Sequence, residues 1–354
     1  MDNSKITMRL TDSDSDLNKA GEIIRRGGLV AFPTETVYGL GADALNPKAV
    51  KSVYAAKGRP SDNPMIVHIS DISSLDDLVD TRAITDTHRL LMTKLWPGPI
   101  TFVFRKSDKV PYETTGGLDT VGIRMPADDI ARRFITASDR PIAAPSANIS
   151  GRPSPTTYRD VAEDMDGRID AIIMGEDSDV GIESTVLDLT GDLPVILRPG
   201  YITKEILDEI TGLDIAIDPA ITGNPASDDF RPKSPGMKYK HYSPKADVII
   251  IKESSGTNAD INITDHVTSV DEVTTENIRI QEIIKEAAST GRKVEIIDYQ
   301  GDSKHAARDF FARLRQCDRD GVDIILVRAL DERGLGFSVM NRMLKSAGYS
   351  VVYI

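Results

Sequence analysis

One stretch of the chain has no apolar periodicity and divides everything else in two. It is DPAITGNPASDDFRPKSPGMKYKHYSPKAD, Asp218 to Asp247, rich in Pro, Ser, Asp and Gly. It reads as a linker or a long functional loop. The segments on its two sides have different rhythms. Before it, short apolar runs follow one another closely: GGLVAFP, PMIVHI, ITFVFR, TVGIRMP, RPIAAPSAN, IDAIIMG, ESTVLDLT and LPVILRPG. Few long helices fit between them, which points to a mixed sheet rather than a purely parallel one. After it, ADVIII, KVEIID, VDIILVR and YSVVYI alternate with helical stretches near 275–290, 303–319 and 337–346. That is the pattern of a small parallel α/β domain covered on both faces, Rossmann-like in rhythm but without a G-x-G-x-x-G after its first strand. A chain of 354 residues is comfortable for two domains. The expected organisation is α/β throughout: a first domain over 1–222, a linker over 223–245 and a second domain over 246–354. The first domain is expected to fold when cut away after about Thr222.

The net charge of −12 argues against broad adhesion to nucleic acid. It leaves room for a local cationic pocket. The single cysteine, Cys317, cannot form an internal disulfide, and no Cys/His cluster has zinc-site spacing. The start, MDNSKITMRLTDSDSD, is polar and acidic, unlike a signal peptide, and no apolar run is long enough to span a bilayer. These features favour the cytoplasm.

Against that acidic background, VYAAKGRPSDNPMIVHI places Lys57 and Arg59 on either side of Gly58, in a turn stiffened by Pro60 and Pro64. Such a pair can converge on one polyanion, Arg with a planar fork and Lys with a compact charge. A solvated turn of two exposed cations is the bland alternative. His68, in the strand that follows, reads by itself as a core histidine. In FPTETVYGLGADA, Thr34 and Thr36 offer hydroxyls at a strand exit, and the glycines permit close backbone approach to a ligand. Alone, that stretch reads as a turn with capping residues. In RPIAAPSANISGRPSPTT, Ser146, Asn148 and Ser154 present short polar groups suited to phosphate oxygens or a base. Ser184 opens a strand in GIESTVLDL, while Arg124 and Arg198 sit in otherwise apolar strands. A buried arginine needs a partner, either a bound anion or an internal carboxylate. The chain has no nucleophile elbow, Walker A loop, H-E-x-x-H or EF-hand loop. Chemistry here would rest on positioning and charge neutralisation.

In their order and spacing, PTETVYGLG, KGRPSDNP, APSAN, ESTV and RPG resemble the YrdC family. SPGMKYKHYSP and the small α/β domain are similar to its two-domain form, so the resemblance covers essentially the whole chain. It implies a twisted mixed sheet around a deep cationic cavity. It also implies a nucleotidyltransferase that condenses L-threonine, bicarbonate or CO2, and ATP. The products would be threonylcarbamoyl-adenylate and pyrophosphate, and the adenylate would pass to the complex that modifies adenosine 37 of ANN-decoding tRNAs. Lys57 and Arg59 would act at the phosphates. Arg59, Asn63, Thr120, Ser146, Ser154 and Arg198 would hold ATP, with Asn148 beside Ser146 in the family signature. Thr36, His68, Arg124 and Ser184 would hold threonine, together with the backbone of Ala144. Mg²⁺ would arrive with ATP. SPGMKYKHYSP is expected to close over the cavity as a lid, with Ser234 and Tyr242 touching nucleotide. Two other classes remain: a double-stranded RNA-binding module without catalysis, disfavoured by the charge, and a carbamoyl-phosphate-processing maturation factor, disfavoured by the single cysteine.

Overall fold

A computed structural model describes residues 5–61, 63–221, 242–253 and 270–354, without the side chains of 270–279. Among the described residues, fifteen strands form two sheets. The larger contains β1 (Met8–Leu10), β2 (Val30–Phe32), β3 (Gly39–Asp43), β4 (Ile66–His68), β5 (Ile100–Arg105), β6 (Thr120–Arg124), β7 (Ile142–Ala143), β8 (Ala171–Ile173), β9 (Thr185–Asp188), β10 (Val195–Arg198) and β11 (Ala216–Ile217). Their order is β1-β8-β2-β3-β7-β4-β6-β5-β9-β10-β11. The sheet is mixed: β4 and β6 run parallel, and β7 is antiparallel to both β3 and β4. The smaller sheet contains β12 (Asp247–Lys252), β13 (Val294–Ile297), β14 (Ile324–Arg328) and β15 (Val351–Tyr353). Its order is β13-β14-β12-β15 and every pair is parallel.

Both sheet types are the expected ones. Two strand assignments needed more than periodicity. β3 arises from YGLGADA, where the glycines serve packing: a side chain at Gly41 would meet Ile142 Cγ2 at 2.8 Å, and one at Gly39 would meet the Phe32 ring at 3.0 Å. β7 is only Ile142–Ala143, because the chain turns at once into the Pro145 loop.

The helix Pro47–Lys57 explains the KGRP turn. Asn46 caps its N-terminus by accepting from the backbone N–H of Lys48 and Ala49, and Pro47 fits the first turn. Gly58 follows in the left-handed region at φ 61°, and the N–H groups of Gly58 and Arg59 bond back to Ala55 and Tyr54. The buried face carries Val50, Val53, Tyr54 and Lys57, the i, i+3, i+4, i+7 stripe of a core-facing helix. Lys57 is 2% exposed. The reading of Lys57 as an exposed turn cation is therefore corrected: helical phase turns it inward.

The second domain packs directly on the first. Val37 and Ile182 join its apolar core, beside Tyr242, Phe310 and Phe311. Arg315 and Arg342, on the helices Ser303–Arg319 and Gly334–Ser346, are its two largest fully buried side chains, and both reach into the first domain.

Candidate active site

A cleft lies against the large sheet, lined by residues of β4 and β6 and of the loops around Ser146 and Ser184. Ile66 and His68 share one face by the two-residue period of β4, and His68 stands opposite Arg124 on β6. Gly39 and Ser146 are bridged across it. Arg59, Arg124, Arg152 and Arg198 line the cleft with one carboxylate, Glu183.

Most of the expected residues meet there: Thr36, Arg59, His68, Arg124, Ala144 and Ser146 line the cleft, and so do Asn148, Ser154, Ser184, Arg198 and Tyr242. Three do not. Thr120 shares the face of Arg124 but lies two residues beyond Gly122, which pairs with Ile66, so it extends the wall past the cleft. Asn63 is fully buried, its carbonyl accepting from the Tyr54 hydroxyl at 2.9 Å. Among the described residues its side-chain Oδ1 and Nδ2 have no hydrogen-bond partner. Lys57 sits behind the wall: its ammonium donates to the carbonyls of Ser146 and Asn148 and, at 3.4 Å, to Asn148 Oδ1. Ser234 and most of SPGMKYKHYSP lie outside the described residues. Tyr242 is described; it is buried, its ring stacks at 4.9 Å from that of Phe311, and the N–H of Ser243 donates to Gly151.

The loop from Pro145 to Ser154 is pinned from below. Besides Lys57, the buried carboxylate of Asp164 accepts from the N–H of Ile149 and pairs with Arg152. Arg315 of the second domain pairs with Asp164 at 2.8 Å and donates to the Pro153 carbonyl at 2.7 Å. The Asn148 amide donates to the carbonyls of Ile149 and Arg152, so its Oδ1 accepts the Ser146 hydroxyl proton at 2.5 Å.

At the other end, Arg124 has an internal partner after all. It pairs with Glu35 at 2.8 Å and donates to Thr36 Oγ1 at 2.8 Å, while its Nε makes no hydrogen bond. Burial opposes ionisation of Glu35, but Arg124 and the N–H of Ala127 outweigh it and hold its pKa below the usual value. Burial, reinforced by Arg124, lowers the His68 pKa to about 3, so the imidazole is neutral at pH 7. Arg198 donates to the Ser184 carbonyl and hydroxyl. Burial lowers its pKa to about 10 despite Glu183, which leaves it a cation. Gly200 allows RPG to lie against EST, since a side chain there would meet the Thr185 nitrogen at 2.3 Å.

Sequence reasoning did not single out Glu35, Arg152, Glu183, Arg315 or Arg342. The first three stand inside or beside the quoted motifs, in PTET, SGRPS and IEST, where a charged residue among small polar ones was the available signal. The last two come from a separate domain, and nothing local marks them. The cations converge inside a cleft rather than across an exposed face, which gives the double-stranded RNA reading no support.

Fold and cleft together describe a two-domain α/β protein with an arginine-lined site for a polyanion. Residues 22–200 match the Sua5–YciO–YrdC family, described as Telomere recombination, and residues 202–348 match the family described as Threonylcarbamoyl-AMP synthase, C-terminal domain. The chain belongs to the Sua5–YciO–YrdC family, in the form that carries this C-terminal domain. It is 45% identical over 346 residues to the threonylcarbamoyl-AMP synthase of Pyrococcus abyssi, covering 95% of each chain. It is 40% identical to that of Bacillus subtilis, covering 98% of this chain and 97% of the relative. The crystal structure of P. abyssi Sua5 complexed with L-threonine superposes with a TM-score of 0.87 at 43% identity, covering 99% of this chain and 100% of that one.

Proposed function

We propose that this protein is a threonylcarbamoyl-AMP synthase, which joins L-threonine, CO2 from bicarbonate, and ATP into threonylcarbamoyl-adenylate and pyrophosphate. The observation that carries the reading is the convergence of four arginines on one cleft with small polar groups between them. The Pyrococcus relative supports it, since that protein binds L-threonine. Threonine's amine adds to CO2 and releases a proton, giving a carbamate. A carbamate oxygen then attacks the α-phosphorus in line, the bond from Pα to the bridging oxygen breaks, and pyrophosphate leaves. Such a step needs alignment and neutralised charge rather than a protein nucleophile.

In this reading Arg124, with its unused Nε, receives the threonine carboxylate beside Thr36, Ser184 and neutral His68. Arg59, Arg152 and Arg198 face the triphosphate, and Asn63 and Thr120 extend the nucleotide wall. Lys57 acts through the Ser146–Asn148 loop that it holds. The one lining carboxylate, Glu183, is already engaged, and among the described residues no group of three His, Cys, Asp or Glu side chains could hold a metal. Mg²⁺ would arrive on the phosphates as part of the substrate. The adenylate would pass, in the cytoplasm, to the complex that transfers the threonylcarbamoyl group to tRNA. Among the described residues no helix is long and apolar enough to cross a membrane.

Pyrophosphate release measured with ATP, threonine and bicarbonate, each omitted in turn, tests the reading. Release should require all three. Release that ignores threonine would overturn it.

A further inference from the structure

Among the described residues Glu183 is the one acid lining the arginine-rich cleft, and its contacts fix the direction of the Ser154 hydrogen bond. Its Oε1 accepts the Ser154 hydroxyl proton at 2.6 Å. Its Oε2 accepts from Arg342 Nε of the second domain at 3.2 Å. Arg342 is itself fully buried and also donates to the carbonyls of Pro199 and Ser338. Tyr242 lines the same cleft beside this carboxylate. Burial opposes ionisation of Glu183, but Arg342, Arg198 and the Ser154 hydrogen bond hold its pKa below the usual carboxylate value. An ionised carboxylate only accepts, so Ser154 must spend its single O–H proton on it. What that hydroxyl has left for the cleft is lone pairs. A phosphate oxygen, itself an acceptor, is repelled there, and a donor is matched.

Resting on the ATP-binding reading above, we propose that Arg342 and Glu183 are positioning residues that fix Ser154, with Tyr242 beside it, as an acceptor wall for a neutral hydrogen-bond donor on the nucleoside of ATP. The wall thereby sorts the nucleotide's ends: the nucleoside lies against Glu183 and the triphosphate is left to the arginines. Of the two partners the sequence offers Ser154, phosphate oxygens or a base, this wall favours a donor on the nucleoside. It also gives the second domain a part in substrate recognition, since Arg342 is what keeps Glu183 charged. Two groups on ATP have the required chemistry, a ribose hydroxyl and the adenine 6-amino group.

The full-length protein would be assayed for threonine-dependent pyrophosphate release with ATP, 2′-deoxyATP, 3′-deoxyATP and inosine triphosphate, as wild type and as Ser154→Ala. One buried hydrogen bond lost from an otherwise retained site predicts a kcat/KM roughly ten-fold lower for the analogue that lacks the matched donor. In Ser154→Ala that ratio should fall to about one, while discrimination among the other analogues is kept. A general loosening of the fold would not produce so selective a loss. Glu183→Gln should do the same, because its amide can donate to Ser154 and turn the hydroxyl proton outward. Equal use of all four nucleotides by the wild type, or discrimination unchanged in Ser154→Ala, would overturn the proposal. If the wild type shows no threonine-dependent release, the catalytic reading fails instead. Calorimetric binding of the same four nucleotides then decides the wall: a weaker analogue in wild type alone upholds it, and equal or absent binding refutes it.

Discussion

Asn63 is fully buried, at 0% exposure, and among the described residues its side-chain amide has no hydrogen-bond partner. Burying such an amide costs about 1–3 kcal/mol. Asn63→Leu, similar in size, should therefore raise the stability of the unliganded protein by about 1 kcal/mol and weaken ATP binding. Urea denaturation and calorimetry would check the pair of effects, and a stability loss would contradict it. His68 gives a pH signature. The unfolded chain takes up its proton near pH 6.5, while the folded imidazole stays neutral down to about pH 3. Between those values the unfolded state binds the extra proton, so stability falls with falling pH, by up to about 1.4 kcal/mol per pH unit. Replacing His68 by Gln should flatten the dependence of Tm on pH between 6.5 and 4.5. The second buried histidine, His88, contributes equally to both proteins and cancels in the difference.

At the scale of elements, the loop Pro145–Ser154 is the piece on which the site depends. Lys57 holds it from the helix Pro47–Lys57, Asp164 from the helix Tyr158–Met165 and Arg315 from the helix Ser303–Arg319. Lys57→Ala would leave the Ser146 and Asn148 carbonyls short of a charged donor. It should cost about 2 kcal/mol in urea denaturation along with most of the activity. Unchanged stability would restore the older picture of an exposed cation. Much of this scale was legible beforehand. The helix Pro47–Lys57 and the strand Ile100–Arg105 follow directly from periodicity and capping, and the order of the motifs pointed to one cleft. The inward turn of Lys57 was legible too, in the stripe from Val50 through Val53 and Tyr54, but charge outweighed phase in that reading. The direction of the Ser154 hydroxyl was not legible, because it depends on Arg342, distant in sequence by 188 positions of intervening fold. No local pattern encodes a contact between domains.

For the whole molecule, the second domain is part of the site rather than an appendage. Arg315 meets Asp164, Arg319 meets Asp160 and Arg342 meets Glu183, three acids of the first domain that are nearly fully buried. Cutting the chain after Thr222 would remove these second-domain cations and leave Asp164 with Arg152 alone. The first domain, expected to fold when cut away, should melt below the full chain, and an equal Tm would argue against the coupling. The assembled cleft should make threonylcarbamoyl-adenylate. Incubating the full chain with ATP, L-threonine and carbon-13 bicarbonate, then weighing the adenylate by mass spectrometry, decides this. The expected product is an adenylate that contains threonine and one labelled carbon, formed together with pyrophosphate. An adenylate without the label, or AMP with no threonine attached and no labelled intermediate in rapidly quenched samples, would contradict it.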